Sequence, residues 1–242
     1  MFPGTSRTLN DMYMPLGTHV PPPGLPQPLP GAAAALIGVA VLIVVMVPFL
    51  WHIAQHFGVM AHEGAHALAA FALGFTLESV VMSLHEGLTK VRTGGLTGIA
   101  IRLVLFWFVG YLGPSAFGLV AAKLIETGRV VTVLWLAIIL LVLLLFVLAR
   151  SLGLVSVPLA IALLVLVTRN AHAWVEEVVV YGMTWLLLLS GLRIALAHGV
   201  EAGDAGTLKD RTHIPRRIWS LLWIGGTLLA VVIGGKWMVL RS

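Results

Sequence analysis

The feature that most constrains this chain is a succession of apolar runs, each long enough to cross a lipid bilayer. A hydrocarbon core about 30 Å thick takes about 20 helical residues. Runs of that order lie near 32–51, 56–75, 99–123, 130–149, 152–168, 173–197 and 218–239. Only 10% of the 242 residues are charged, against roughly a quarter in soluble domains, and mean hydropathy is +1.01. The expected fold is an all-α polytopic membrane protein of about seven transmembrane helices, with a short β-hairpin between the second and third.

The first two runs are hard to separate. One helix from 32 to 75 would be about 66 Å long, about twice the hydrocarbon thickness. Pro48 and Gly58 bracket the expected break, placed at Gly58. The fourth and fifth runs are divided only by "ARSLG", which reads as a tight hairpin with Arg150 at its turn. Residues 76–98 are too polar to span. Their β-branched residues and glycines fit a β-hairpin, with an amphipathic loop as the alternative. Residues 1–30 lack an apolar core and are rich in proline, so they read as a flexible tail and not a signal peptide. Residues 31–242 then form one transmembrane domain.

A net charge of +5 raises the question of nucleic acid. The basic residues are scattered between apolar runs, which suits loops beside anionic lipid and not a nucleic-acid surface. Alternating seven spans leaves Lys123, Arg129, Arg169, Lys236 and Arg241 on one side, so the 15 basic residues divide ten to five. The majority side carries the N-terminus, the 76–98 segment and the 198–217 loop, and the positive-inside rule makes it cytoplasmic. No cysteine is present, which excludes disulfides, thiolate metal sites and thiol catalysis.

Within the second run stands "MAHEGAHALAAFALGF". Residues four apart on a helix share a face, so His62 and His66 point at one ligand, and Glu63 lies beside them. Neutral imidazoles suit Zn²⁺, and an adjoining carboxylate can take a proton from water that the metal activates. Ionisable groups inside a span are costly and mark functional sites by default. Nine residues separate His66 from Thr76, which sinks the site about 13 Å from that helix end. A catalytic zinc needs a third protein ligand. Asp204, Asp210 and His213 in the late loop and His85 and Glu86 in the hairpin all lie on the matching side. Spacing does not rank Asp204 above Asp210. His172, Glu176 and Glu177 start the sixth run at the opposite face, where headgroup contacts or local pairing account for them. An unbroken helix from His52 would align His52 and His56 with the motif, but a break at Gly58 leaves both as interfacial residues.

These segments resemble the site-2 protease family of intramembrane zinc metallopeptidases, and most closely its compact bacterial B-type branch. The resemblance rests on "HEGAHALAAFALG", then "GGLTG…FVGYLGPSAFG", then "GDAGTLKDRTHIPRRIW". It implies one Zn²⁺ per chain held by His62, His66 and Asp204, with Glu63 as the catalytic base. It further implies a membrane-protein substrate, cut in or near a transmembrane segment to release a cytoplasmic regulatory domain. Gly113 and Pro114 match the family's Gly-Pro element. Phe117 stands where many members have Asn, and Ala205 where Gly usually follows the late Asp. The hairpin after the motif helix is expected to offer an edge strand to an unwound substrate. Two other functions fit the sequence less well. A metal transporter of the Zrt/Irt-like type needs ligands on the preceding span, and "AAAALIGVAVLIVVMVPFL" has none. An inactive, partner-binding relative has no need of Glu63.

Overall fold

A computed structural model describes residues 28–95, 97–149, 151–198 and 203–240. Nearly all of the proline-rich tail, and Arg150 of the expected ARSLG turn, lie outside the described residues. The described chain runs α1 (Gly31–Met46), α2 (Pro48–Ala72), β1 (Thr76–Met82), β2 (Gly87–Arg92), α3 (Ile99–Glu126), α4 (Val130–Leu145), α5 (Gly153–Asn170), α6 (Ala173–His198), α7 (Asp204–Thr212) and α8 (Arg216–Val239).

Four helices, α3, α5, α6 and α8, are each long and apolar enough to cross a membrane. Helices α1 and α2 meet that test only together and are bent by 103° at their junction, while α4 is shorter. The seven expected crossings therefore become four or five candidates by length and composition. The discrepancy has two local causes. The first break falls at Val47, an extended residue that caps both α1 and α2. Pro48 opens α2 because proline is accommodated in a first turn, where its missing N–H is not needed. Gly58, the expected break, lies inside a continuous α2. Its missing side chain makes room for α6: a Cβ there would come within 3.0 Å of Ile194.

The second cause lies at the end of α4. Residues 146–149 continue the apolar run but leave the helix, and their backbone pairs with β1. The Val80 N–H donates to the Val147 carbonyl at 2.9 Å, and the Ala149 N–H donates to the Val80 carbonyl at 2.8 Å. Helix α4 thus has 16 residues and is about 24 Å long, short of the hydrocarbon thickness.

Strands β1 and β2 form the expected antiparallel hairpin, with Val80 opposite Thr89, Met82 opposite Gly87, and a bulge between Leu77 and Ser79. Its placement departs from the expectation of a segment beyond the helix end. The hairpin folds back along α2, so that His85 in its turn meets His52 near the start of that helix, the two ring nitrogens 3.0 Å apart. Helix α2 ends cleanly before it: Arg102 of α3 donates to the Leu73 carbonyl at 2.6 Å, a cation where the helix dipole favours one.

Helix α3 is the hub, packed against α2, α6 and α8. Its small residues set the spacing. A Cβ on Gly113 would fall 2.3 Å from that of Ala65 in α2, and one on Gly118 within 2.8 Å of Leu188 in α6. Close backbone approach of this kind drives helix association where no hydrophobic effect is available.

Candidate metal centre

Helix α2 carries His62 and His66 one turn apart with Glu63 next to His62, and α3 forms the wall opposite. Gly110 of α3 faces the two imidazoles: a Cβ there would stand 2.3 Å from His66 Nε2 and 2.8 Å from His62 Cε1. Only glycine leaves the space between the rings open. Aromatic groups line the remainder. Phe106 and Trp107 pack on His66, and Tyr111 meets His62 edge-on while stacking on Trp223 of α8.

The third donor arrives on α7. Gly203 has φ +115°, a conformation that side chains resist, and this turn starts α7 with Asp204 in its first residues. An aspartate there also suits the positive end of the helix dipole. Asp204 Oδ2 lies 3.3 Å from His66 Nε2 and 3.5 Å from His62 Nε2, and the two nitrogens are 3.2 Å apart. Burial by itself would push the Asp204 carboxyl pKa up, but hydrogen bonds and charge from the two imidazoles outweigh it and hold the group down to about 2.

These spacings bear on whether the residues fit a metal. Zinc bonds of about 2.0–2.1 Å at tetrahedral angles separate neighbouring donors by about 3.3–3.4 Å. The three atoms form a triangle of that size. Hydrogen bonds alone hold it awkwardly: if both imidazoles donate to Asp204 Oδ2, two N–H groups stand side by side with their nitrogens 3.2 Å apart. A single cation satisfies all three, and the donor set of two nitrogens and one carboxylate oxygen suits zinc. His62, His66 and Asp204 form the one such group among the described residues.

The structure separates the other candidates from this cluster. Asp210 is on the exposed face of α7, and His213 is an exposed residue just past its end. His85 and Glu86 lie at the hairpin turn, and His172 with Glu176 and Glu177 at the start of α6. His56 is the clear departure from expectation. It is buried, 6% exposed, and its ring contacts the Ser83 carbonyl at 2.9 Å and Ser156 Oγ at 2.7 Å. The continuous α2 turns it inward, so it ties the hairpin and α5 to the motif helix. Phe117 is half-buried in α3, and Ala205 is buried beside Asp204.

Sequence reasoning missed Thr89, which donates to Glu63 Oε2 at 2.5 Å. It also missed Gly110 and Tyr111. Their only trace was the quoted "FVGYLGPSAFG", valued there for Gly113 and Pro114.

Residues 35–234 match the family model described as Peptidase M50B-like. The chain belongs to that family. The match covers most of the chain, including the motif, α3, the late aspartate and most of α8, and the family implies a metallopeptidase of the site-2 protease kind. No curated protein and no solved structure matches the chain.

Proposed function

We propose that the protein is an intramembrane zinc endopeptidase that hydrolyses a peptide bond in or near the transmembrane segment of a membrane-protein substrate. The observation that carries this reading is the triangle of His62, His66 and Asp204, with sides of 3.2–3.5 Å, beside a buried Glu63. It stands on a family whose members are peptidases.

His62, His66 and Asp204 would hold one zinc, leaving a fourth position open as catalytic sites do. When bound, zinc supplies a Lewis acid that polarises the scissile carbonyl and lowers the pKa of water toward neutrality. Glu63 accepts the proton from the attacking water and returns it to the departing amine. The aromatic wall of Phe106, Trp107 and Tyr111 restricts water around the imidazoles, which strengthens electrostatic interactions there.

A helical substrate hides its peptide groups in i→i−4 bonds, so cleavage requires local extension. Strand β2 is the edge suited to receive the extended segment, because β1 pairs with β2 on one side and with residues 147–149 on the other. Main-chain pairing to an edge strand gives affinity without demanding one sequence. Backbone outside helices is tolerated at membrane depth only where it is protein-covered or lines a water-filled cavity. A hairpin folded along α2 would line such a cavity and admit the water that hydrolysis needs.

The proposed setting is the bacterial cell membrane, with a cytoplasmic N-terminus. The natural outcome is then release of a cytoplasmic regulatory domain. The test is a reporter carrying a transmembrane segment, incubated with purified protein in liposomes. Cleavage that a zinc chelator stops and added Zn²⁺ restores supports the reading, and cleavage indifferent to both contradicts it. The absence of native cysteine permits a topology check. Lys209→Cys, on the exposed face of α7, is expected to react with a membrane-impermeant thiol reagent only from the cytoplasmic side.

A further inference from the structure

A buried carboxylate needs partners, because leaving a charge unpaired in a low-dielectric interior is costly. Glu63 is 2% exposed, and among the described residues its closest partners come from the hairpin. The Thr89 hydroxyl donates to Oε2 at 2.5 Å, a short hydrogen bond. The other oxygen, Oε1, lies against Gly87, where a Cβ would fall 2.4 Å from it. Alternate residues of a strand share a face, so Gly87 and Thr89 reach Glu63 together.

The strand that presents them is held at several points. Thr89 and Gly87 pair across the hairpin with Val80 and Met82. Val80 is bonded in turn to Val147 and Ala149, and the hairpin turn is tied to α2 through His56 and the Ser83 carbonyl. The hydroxyl is therefore fixed by the fold and not by its own rotamer alone.

We propose that Thr89 is a positioning residue for Glu63. Its hydroxyl fixes one carboxylate oxygen, and the bare face of Gly87 makes room for the carboxylate to sit against the strand. This rests on the reading of Glu63 as the base. It adds that the hairpin, besides receiving substrate, aligns that base, so both tasks fall to one strand.

The test uses full-length protein with its zinc, assayed on the transmembrane reporter. Thr89→Val keeps the shape and removes the hydroxyl, and Thr89→Ser keeps the hydroxyl. Thr89→Val is expected to lower kcat by about 10–100-fold, the scale of a misplaced catalytic group, with KM within about 2-fold and zinc content unchanged. Thr89→Ser is expected to recover kcat to within about 3-fold of wild type. A readout independent of activity is thermal unfolding of Thr89→Val, Glu63→Ala and the double variant. The double variant is expected to depart from the sum of the single shifts by about 2–4 °C, the mark of a direct contact.

Wild-type kcat in Thr89→Val, equal losses in the Val and Ser variants, a loss confined to KM, or additive unfolding shifts would each overturn the proposal. Failure of the underlying reading looks different. Glu63→Gln would then cleave as fast as wild type, whatever Thr89 does.

Discussion

Helix α2 carries two groups of histidines, and the chain treats them in opposite ways. In the first, His62 and His66 bring ring nitrogens within 3.2 Å of each other and within 3.5 Å of the same Asp204 oxygen. Protons on both nitrogens would crowd onto one oxygen, whereas a single cation between the three atoms serves them all. In the second, His56 has a carbonyl on one nitrogen and a hydroxyl on the other, and the exposed His52 meets His85 as a simple pair. Its polar groups are satisfied by protein alone. Histidine content does not mark a metal site, then. What marks it is convergence of three ligand atoms on one point at the spacing a metal requires.

The largest expected effects fall on the first group. Removing a ligand, as in His66→Ala, is expected to weaken zinc binding by more than about 100-fold, beyond the 10–100-fold typical of losing a supporting contact. Metal analysis after dialysis against a graded chelator reads this directly. Retention of one zinc per chain in that variant would break the comparison. Asp204→Ala is expected to match it, while Asp210→Ala, altered on the exposed face of α7, is expected to hold zinc as wild type does.

The second group sharpens the contrast from the other side. His56→Ala should keep its zinc but unfold about 2–10 °C lower, because the Ser83 carbonyl and Ser156 hydroxyl lose a buried partner. The smallest effect belongs to His52→Ala. With both rings of its pair exposed, its unfolding temperature is expected to stay within about 2 °C of wild type. Zinc loss in either variant would mean that the two groups act as one.

The contrast also explains what the sequence made readable. The motif was legible because its logic is local: i and i+4 on a helix meet regardless of the rest of the fold. The hairpin was legible in the same way, from β-branched residues and glycines around a short turn. Asp204 could not be separated from Asp210, since only the approach of α7 to α2, set by Gly203 and the packing of α3, decides between them. The role of Thr89 was hidden because the hairpin's return along α2 depends on contacts with the end of α4. Residues 146–149 misled for a related reason: an apolar run reads alike as helix or buried strand. Pro48 and Gly58 were both candidate breaks, and helix packing against Ile194 removed Gly58 from the choice.

The central claim is that Glu63, beside a zinc held by His62, His66 and Asp204, transfers the proton in peptide hydrolysis. It is tested most directly by measuring zinc content and reporter cleavage together in wild type and Glu63→Gln. The account predicts one zinc per chain in both, with cleavage by the variant reduced about 10²–10⁴-fold. Equal cleavage rates in the two zinc-loaded proteins would contradict it.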